Sequence, residues 1–268
     1  MQTSLFSSGK KFFAPLLAVV VFAIMAANYF GEEYAVFTSS FLNLAITIPL
    51  VVVSAILLVK DGIKGNFGKA WIFFASFIFL WFIAEQIWMI TELVYHDDPF
   101  PSAADFFWLI GYPIYFVFTF FYLRPFKSSI SIKLTVSVIS LTITAAGFLA
   151  YYSSLQQSNL SVFDTLLSLS YPVADTVSLA PIIIGLILFF RGRVSFLWSC
   201  LLFGMLCFVI ADYGFFFFSL DESYHTGHPV DILYLWAYLF FLSGSYNYVR
   251  MFEKRNHENR FNDQDNLR

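Results

Sequence analysis

The sequence predicts an all-α integral membrane protein with eight transmembrane helices, arranged as two parallel four-helix repeats, with both termini cytoplasmic. Of its 268 residues, 59% are hydrophobic and only 12% are charged, which is unlike a soluble domain. Apolar runs long enough to cross a bilayer recur along the chain. Lysine and arginine occur only in alternate connections between these runs, the pattern of a multi-pass protein.

The eight apolar runs are each roughly 18 to 25 residues long, which suits membrane helices. They cover residues 12–30, 36–59, 70–93, 106–123, 134–152, 165–190, 194–219 and 232–249. The strands of an outer-membrane barrel would instead be short and alternating. The first run also has features of a signal peptide, but its length favours a helix that is retained.

Basic residues set the predicted topology. All 15 lie before the first run, in every second connection or after the last run: Lys10, Lys11, Lys60, Lys64, Lys69, Arg124, Lys127, Lys133, Arg191, Arg193, Arg250, Lys254, Arg255, Arg260 and Arg268. Cytoplasmic loops carry such an excess, so both termini are predicted inside. We divide the chain into a cytoplasmic lead (1–11), two four-helix repeats (12–130 and 131–250) and a polar cytoplasmic tail (251–268).

Two segments support the duplication. Ile83-Ala84-Glu85 matches Ile210-Ala211-Asp212, and Asp105 with the following FFWLIGYP matches Asp231 with the following ILYLWAYL. Asn43 and Pro49 have the same six-residue spacing as Asp175 and Pro181. An even number of helices per unit gives both copies one orientation, which predicts an axis along the membrane normal.

Three carboxylates lie inside predicted spans: Glu85, Asp175 and Asp212. A charge at this depth is costly, so such residues usually face the protein interior and serve an ion, a proton or a ligand. No lysine or arginine lies within a span. These acids must therefore be neutral or meet an external cation or water. We expect one outward-facing pocket; the alternative is a protonated carboxyl bonded to a neighbouring helix.

Asp105 and Asp231 open the fourth and eighth runs, where an acid also satisfies free backbone N–H groups. Ser102 is the predicted N-cap and Asp105 its capping-box partner. The full predicted ligand-binding set is Glu85, Glu92, Asp105, Tyr112, Tyr171, Asp175, Asp212 and Asp231. Aromatic residues beside these acids would suit an organic cation: Trp88, Trp108, Tyr112, Tyr171, Tyr213 and Tyr234.

A loop metal site is a weaker possibility. Its candidate ligands are His96, His225 and His228, with Glu92, Asp97 and Asp98, although solvated loop residues would give the same pattern. The sequence identifies no cofactor, since it has no Gly-rich phosphate loop, no serine nucleophile motif and no intramembrane lysine for a Schiff base. The basic residues are a topology signal, so no nucleic-acid partner is expected.

The stretches PFPSAADFFWLIGYP (99–113), SYPVAD (170–175) and HPVDILYLWAYL (228–239) carry a family resemblance. The chain resembles the multi-helix membrane input module found before the catalytic domain of bacterial diguanylate cyclases and of some bacterial and archaeal sensor histidine kinases. The resemblance implies a sensory domain, and it points to Asp105, Tyr112, Pro113, Tyr171, Asp175, Asp212 and Asp231. It also implies an effector after Arg250, which we expect to be replaced here by a separate partner.

We therefore expect a non-enzymatic, sensor-like protein of the cell membrane. It would bind a small ligand or cation in an acidic, aromatic pocket and signal through a cytoplasmic or membrane partner. Repeats and intramembrane acids leave open a proton- or cation-coupled secondary transporter. A membrane-embedded enzyme acting on a lipid remains the third alternative.

Overall fold

The fold consists of helices packed side by side. A computed structural model describes residues 4–61, 67–155, 161–190, 194–220 and 223–265, and no strand occurs among them. The helices are α1 (Ser4–Phe30), α2 (Glu32–Asp61), α3 (Gly68–Ile90), α4 (Ala103–Leu123), α5 (Ile132–Ser154), α6 (Val162–Phe189), α7 (Ser195–Leu220) and α8 (Asp231–Asp265). A π-helical turn, Thr91–Tyr95, extends α3, and a 3₁₀ turn, Arg124–Ser129, follows α4.

Seven of the described helices, α1 to α7, are long and apolar enough to cross a membrane. This is compatible with the predicted multi-pass protein. The helix α8 is as long but less apolar, because its first half carries tyrosines, serines and Asn247 among the leucines and phenylalanines. Among the residues assigned to loops by sequence, Lys64, Arg191, Arg193, Arg268, Asp221 and Glu222 lie outside the described residues.

Both ends of the chain are more helical than the sequence suggested. The predicted lead of 1–11 becomes helical at Ser4, and α8 continues through most of the predicted polar tail to Asp265. No proline or glycine follows Gly244, and the tail contains good helix formers such as glutamate, lysine and arginine. Local propensity therefore extends α8 beyond its apolar part.

Consecutive helices joined by short connections run antiparallel. Two pairs of helices that are not consecutive in the chain run parallel. α2 packs against α8, and α4 packs against α6. An ion pair joins Lys60, near the end of α2, to Glu253, late in α8. Tyr171 and Asp105 meet near the starts of α6 and α4, and Tyr122 meets Phe189 near their ends, with ring centroids 6.1 Å apart. The helices α2, α4, α6 and α8 thus begin at one end of the bundle, here called the cavity end.

The middle of the bundle is filled by rings from α3, α4, α7 and α8. We call this set the aromatic floor; its members are Trp71, Phe74, Phe77, Tyr115, Phe118, Tyr122, Trp198 and Phe241, all fully buried. Representative ring centroids are 4.8 Å apart for Phe77 and Tyr115 and 5.3 Å apart for Tyr122 and Trp198. Such pairs add stability beyond the area they bury, so the floor ties the four helices together.

The outermost helices expose apolar side chains. Only 17% of the apolar window of α1 and of α5 is buried, against 56% for α6. Phe22 on α1 and Phe148 on α5 are 76% and 65% exposed. A soluble monomer rarely exposes apolar faces of this extent, so a lipid environment accounts for them.

Gly111 permits the close approach of α3 and α4. A Cβ atom at this position would lie 2.3 Å from the Trp81 indole nitrogen. The same indole donates a hydrogen bond of 3.0 Å to the carbonyl oxygen of Trp108. A side chain at position 111 would push the ring out of this contact.

We expect Gly111→Ala to lower the free energy of unfolding by about 1–3 kcal/mol, the usual effect of overpacking a filled core. Thermal unfolding of the purified protein in detergent measures it. The matched control is Gly147→Ala in α5, where a Cβ atom meets nothing within 4 Å. Equal melting temperatures for the two variants would contradict the steric argument.

Candidate functional site: an acidic and aromatic cavity

A cavity of about 110 Å³ lies at the cavity end of the bundle. Its wall combines four carboxyl groups with aromatic side chains from several helices. The acids are Glu85, Asp105, Asp212 and Asp231. The tyrosines and tryptophans are Trp81, Trp88, Trp108, Tyr112, Tyr171, Tyr224, Tyr234 and Tyr238. None of the described residues that line it is basic, so no protein cation balances the acids.

Each acid of the wall accepts a hydrogen bond from a tyrosine hydroxyl. Tyr238 donates to Glu85, and Tyr171 donates to Asp105. Tyr234 donates to Asp212 over 2.5 Å, and Tyr224 donates to Asp231 over 3.1 Å. Three of these four bonds join different elements of the bundle. The acids are therefore part of the helix packing as well as the cavity wall.

Three of these four acids also accept a second hydrogen bond. Asn43 of α2 donates its side-chain amide to the other oxygen of Glu85 over 2.8 Å. The backbone N–H of Ser102 donates to Asp105 over 2.7 Å, while the Ser102 hydroxyl accepts from Ala104. The predicted capping box at the start of α4 is thereby confirmed. Asp231 accepts from the backbone N–H of Gly227 over 2.7 Å.

Asp175 is the exception among the predicted acids. It is 0% exposed and lies behind the wall, next to the carboxyl of Asp212 and the hydroxyl of Tyr112. Neither Asp175 oxygen has a partner in hydrogen-bond geometry among the described residues. Two adjacent carboxylates repel unless a proton or a cation lies between them. The pair formed by Asp175 and Asp212 is thus the least compensated part of the site.

The connection from 223 to 230 closes one side of the cavity. Gly227 has a positive φ of 85°, and its carbonyl oxygen accepts from the Asn28 side chain over 2.7 Å. Thr226 accepts from the Trp88 indole over 3.0 Å. Burial, reinforced by Asp231, raises the pKa of Tyr224 well above its ordinary value, so Tyr224 remains a neutral donor at physiological pH.

The structure brings most of the predicted site residues together. Glu85, Asp105, Tyr112, Tyr171, Asp212 and Asp231 line the cavity, with Asp175 directly behind them. Glu92 does not line it; it lies near Thr226 and His225, with Oε2 buried and without a partner among the described residues. The spacing of Glu85, Met89, Glu92 and His96 in the sequence predicts a single helix face. That prediction is wrong, because the π-helical turn at Thr91–Tyr95 changes the helical register.

Five of the six aromatic residues named from the sequence lie at the cavity. Trp88, Trp108, Tyr112, Tyr171 and Tyr234 line the cavity. Tyr213 instead faces α5, where its hydroxyl lies 3.5 Å from the carbonyl oxygen of Leu149. Adjacent helical residues point about 100° apart, so Asp212 and Tyr213 cannot share one face.

The three candidate metal histidines do not form a site. His225 and His228 have ring centroids 5.6 Å apart, while His96 is exposed with a φ of 56° at the end of the π-helical turn. Across the described part of the chain, no group of three or more His, Cys, Asp or Glu side chains could hold a metal ion.

Several wall residues were not predicted as site residues. They are Ser39, Ser40, Asn43, Trp81, Gln86, Tyr224, Thr226 and Tyr238. Two carried a usable signal. Tyr238 occupies the position that the segment match pairs with Tyr112, and Asn43 occupies the position paired with Asp175. The others became visible only once the helices were packed.

No protein-family model matches this chain, and comparison with curated proteins and with solved structures gives no match. The functional argument therefore rests on the geometry of the cavity.

We expect Gly227→Ala to detach the 223–230 connection. A Cβ atom there would lie 2.3 Å from the Ala35 carbonyl oxygen, and alanine disfavours the positive φ. Loss of the hydrogen bond between Trp88 and Thr226 should shift tryptophan fluorescence to longer wavelength and lower the melting temperature. Gly31→Ala is the matched control. Gly31 also has a positive φ, of 128°, but a Cβ atom there would meet nothing within 4 Å. Identical behaviour of the two variants would show that the contact with Ala35 is unimportant.

Proposed function

We propose that this protein is a non-enzymatic, sensor-like membrane module that binds a small ligand or cation in its acidic and aromatic cavity. One observation carries the proposal: carboxyl groups from α3, α4, α7 and α8 converge on a cavity whose described wall contains no basic residue. A concave, aromatic-lined space with a few convergent polar groups is the usual form of a small-molecule site. Acids in a membrane bundle are also typical of functional positions.

The cavity would face the outside of the cell. The described basic side chains Lys60, Lys69, Arg124, Lys127, Lys133 and Arg250 belong to the end of the bundle opposite the cavity. Under the positive-inside rule that end is cytoplasmic. This orientation supports a site that samples the external solution or the outer leaflet.

The contacts around Glu85 in the first half correspond to those around Asp212 in the second half, which supports a duplicated architecture. Asn43 and Tyr238 flank Glu85, while Asp175 and Tyr112 flank Asp212. The repeat inferred from the sequence pairs these positions one with another. Each central acid therefore has one neighbour in its own half and one tyrosine from the other half.

Residues at matching positions of the two proposed repeats also contact each other, near the proposed axis that relates the repeats. The rings of Trp81 and Phe208, which occupy matching positions, are 4.8 Å apart, and those of Tyr115 and Phe241 are 6.4 Å apart. A ligand in this cavity would touch both halves at once. Binding that favours one arrangement of the halves would change the cytoplasmic end, where a partner protein would respond.

Sensing also fits the resemblance of the 99–113, 170–175 and 228–239 stretches to membrane input modules. A transporter for protons or cations is the second candidate, favoured by the adjacent buried carboxyls of Asp175 and Asp212. The aromatic floor argues against it, because eight fully buried rings occupy the centre of the bundle beneath the cavity. An ion crossing the membrane would need those rings to separate.

We expect no net flux of protons, sodium or potassium when the purified protein is placed in proteoliposomes under a pH or ion gradient. The packed rings of the aromatic floor would have to separate before such an ion could pass. Flux above that of empty liposomes, abolished by Asp175→Asn, would replace the sensor proposal with transport.

The binding proposal is tested by native mass spectrometry of protein released from nanodiscs, with metal analysis of the same sample. We expect a bound small molecule or ion on the wild type that is lost in Glu85→Gln/Asp212→Asn. The control is Glu33→Gln/Asp97→Asn, which removes two acids from exposed positions. Equal occupancy of the wild type and both variants would contradict binding in the cavity.

A further inference from the structure

We infer that the ligand of the cavity is a small organic ammonium ion, bound through its N–H or N–CH groups to the carboxyls and through its carbon skeleton to the aromatic wall. This inference rests on the proposed function and specifies its ligand class. Three observations support it: the hydrogen-bonding groups of the wall that are already in use, the charge of the wall and its aromatic composition.

Six aromatic donors of the wall are committed to groups of the protein. The hydroxyls of Tyr171, Tyr224, Tyr234 and Tyr238 each donate to a carboxyl. The Trp81 indole donates to the Trp108 carbonyl, and the Trp88 indole donates to Thr226. The Trp108 indole lies beside Glu85 and Tyr238. A ligand that needs donors, such as a carboxylate or a phosphate, finds few here.

Acceptors remain in excess. A carboxylate has about four lone-pair sites, whereas Glu85 accepts from Tyr238 and Asn43, and Asp212 accepts from Tyr234. Behind the wall, both oxygens of the 0% exposed Asp175 lack a donor in hydrogen-bond geometry, so its neighbour Asp212 is the member of this pair that lines the cavity. Since the described wall supplies no basic side chain, a cationic donor must come from outside. An ammonium group supplies both charge and N–H donors.

The wall distinguishes an organic cation from a metal ion. Calcium takes six to eight oxygen ligands and magnesium six, whereas no group of three or more metal-ligating side chains occurs among the described residues. The wall instead combines its four acids with eight tyrosine and tryptophan side chains. Trp88 and Trp108 have centroids 5.6 Å apart, and Trp81 and Tyr112 have centroids 5.5 Å apart. Faces of tryptophan and tyrosine attract ammonium ions and also pack against their alkyl carbons.

The enclosed space limits the ligand. The cavity of about 110 Å³ is smaller than an engineered cavity of ~150 Å³ that holds benzene. A linear ammonium ion of roughly five non-hydrogen atoms fits this scale. Such a group can be a free amine or the ethanolamine part of a lipid headgroup, and the chemistry recognised is the same.

The test is a fluorescence and thermal-shift titration of the protein in nanodiscs made only of phosphatidylglycerol. The probes are butylammonium, 1-butanol as its uncharged counterpart, butyrate as an anion, and Mg²⁺. We expect saturable quenching of tryptophan fluorescence and a higher melting temperature with butylammonium alone. In Glu85→Gln/Asp212→Asn the affinity should fall about tenfold or more, since each lost charged acceptor weakens the bond to the ammonium. Glu33→Gln/Asp97→Asn should bind as the wild type does.

A tethered ammonium provides an independent variant in case the double substitution fails to fold. Gln86 lines the cavity and directly follows Glu85. We expect Gln86→Lys to place its own ammonium group among the acids, raise the melting temperature and abolish binding of butylammonium. Gln86→Met has a similar size without the charge, so it should not raise the melting temperature as Gln86→Lys does.

A repeat of the titration in nanodiscs that contain phosphatidylethanolamine separates the two sources. If phosphatidylethanolamine competes with butylammonium, the site binds a lipid headgroup. If it does not compete, the site binds a free amine. The inference is overturned if 1-butanol matches butylammonium, if the double variant binds equally, or if no probe binds. A response to Mg²⁺ alone that depends on Glu85 and Asp212 would overturn the ammonium assignment and leave the binding cavity of the proposed function intact.

Discussion

A carboxyl group inside an apolar helix bundle is stabilised by a hydrogen-bond partner, and the rest of this structure depends on how the four acids of the cavity wall obtain one. Burying an unpartnered polar group costs several kcal/mol. Here Glu85, Asp105, Asp212 and Asp231 each receive a tyrosine hydroxyl. The acids consequently fix the rotation of α3, α4 and α7 relative to the tyrosines of α6 and α8. One set of bonds shapes the cavity and orders the helices.

The cavity end of the bundle and the aromatic floor beneath it differ in chemistry. At the cavity end, polar groups and rings enclose a space, whereas the aromatic floor fills the centre without one. Close packing of this kind resists deformation. A ligand that enters the cavity therefore meets a rigid base, and its binding energy acts on the helix ends around it. This division favours a site that reports occupancy over one that passes an ion through.

Sequence alone predicted the features that depend on local pattern. Bilayer-length apolar runs identified the helices, and the spacing of Ser102 and Asp105 identified a cap that the structure contains. The acids of the wall were also identified, because ionisable residues stand out in apolar runs. Their partners were harder to find, since Tyr238 lies 153 residues from Glu85 and Asn43 lies 42 residues away. Such pairs depend on helix rotation and packing.

The remaining errors have three separate causes. The polar face drawn from Glu85 to His96 assumed 3.6 residues per turn, and the π-helical turn at Thr91–Tyr95 breaks that period. Tyr213 was grouped with the wall because it is adjacent to Asp212 in the chain, although it contacts α5. The extension of α8 to Asp265 was missed because its apolar pattern stops near residue 249.

That extension gives α8 a mechanical property. The helix places Asp231, Tyr234 and Tyr238 at the cavity. It is 35 residues long in total and contains no proline. At 1.5 Å per residue, an unbroken helix of this length measures about 52 Å. A tilt of about 3° pivoting at the cavity end would move the other end by about 3 Å, by the same geometry. Such a tilt would displace the far end of α8 more than it displaces Asp231, Tyr234 and Tyr238 beside the cavity.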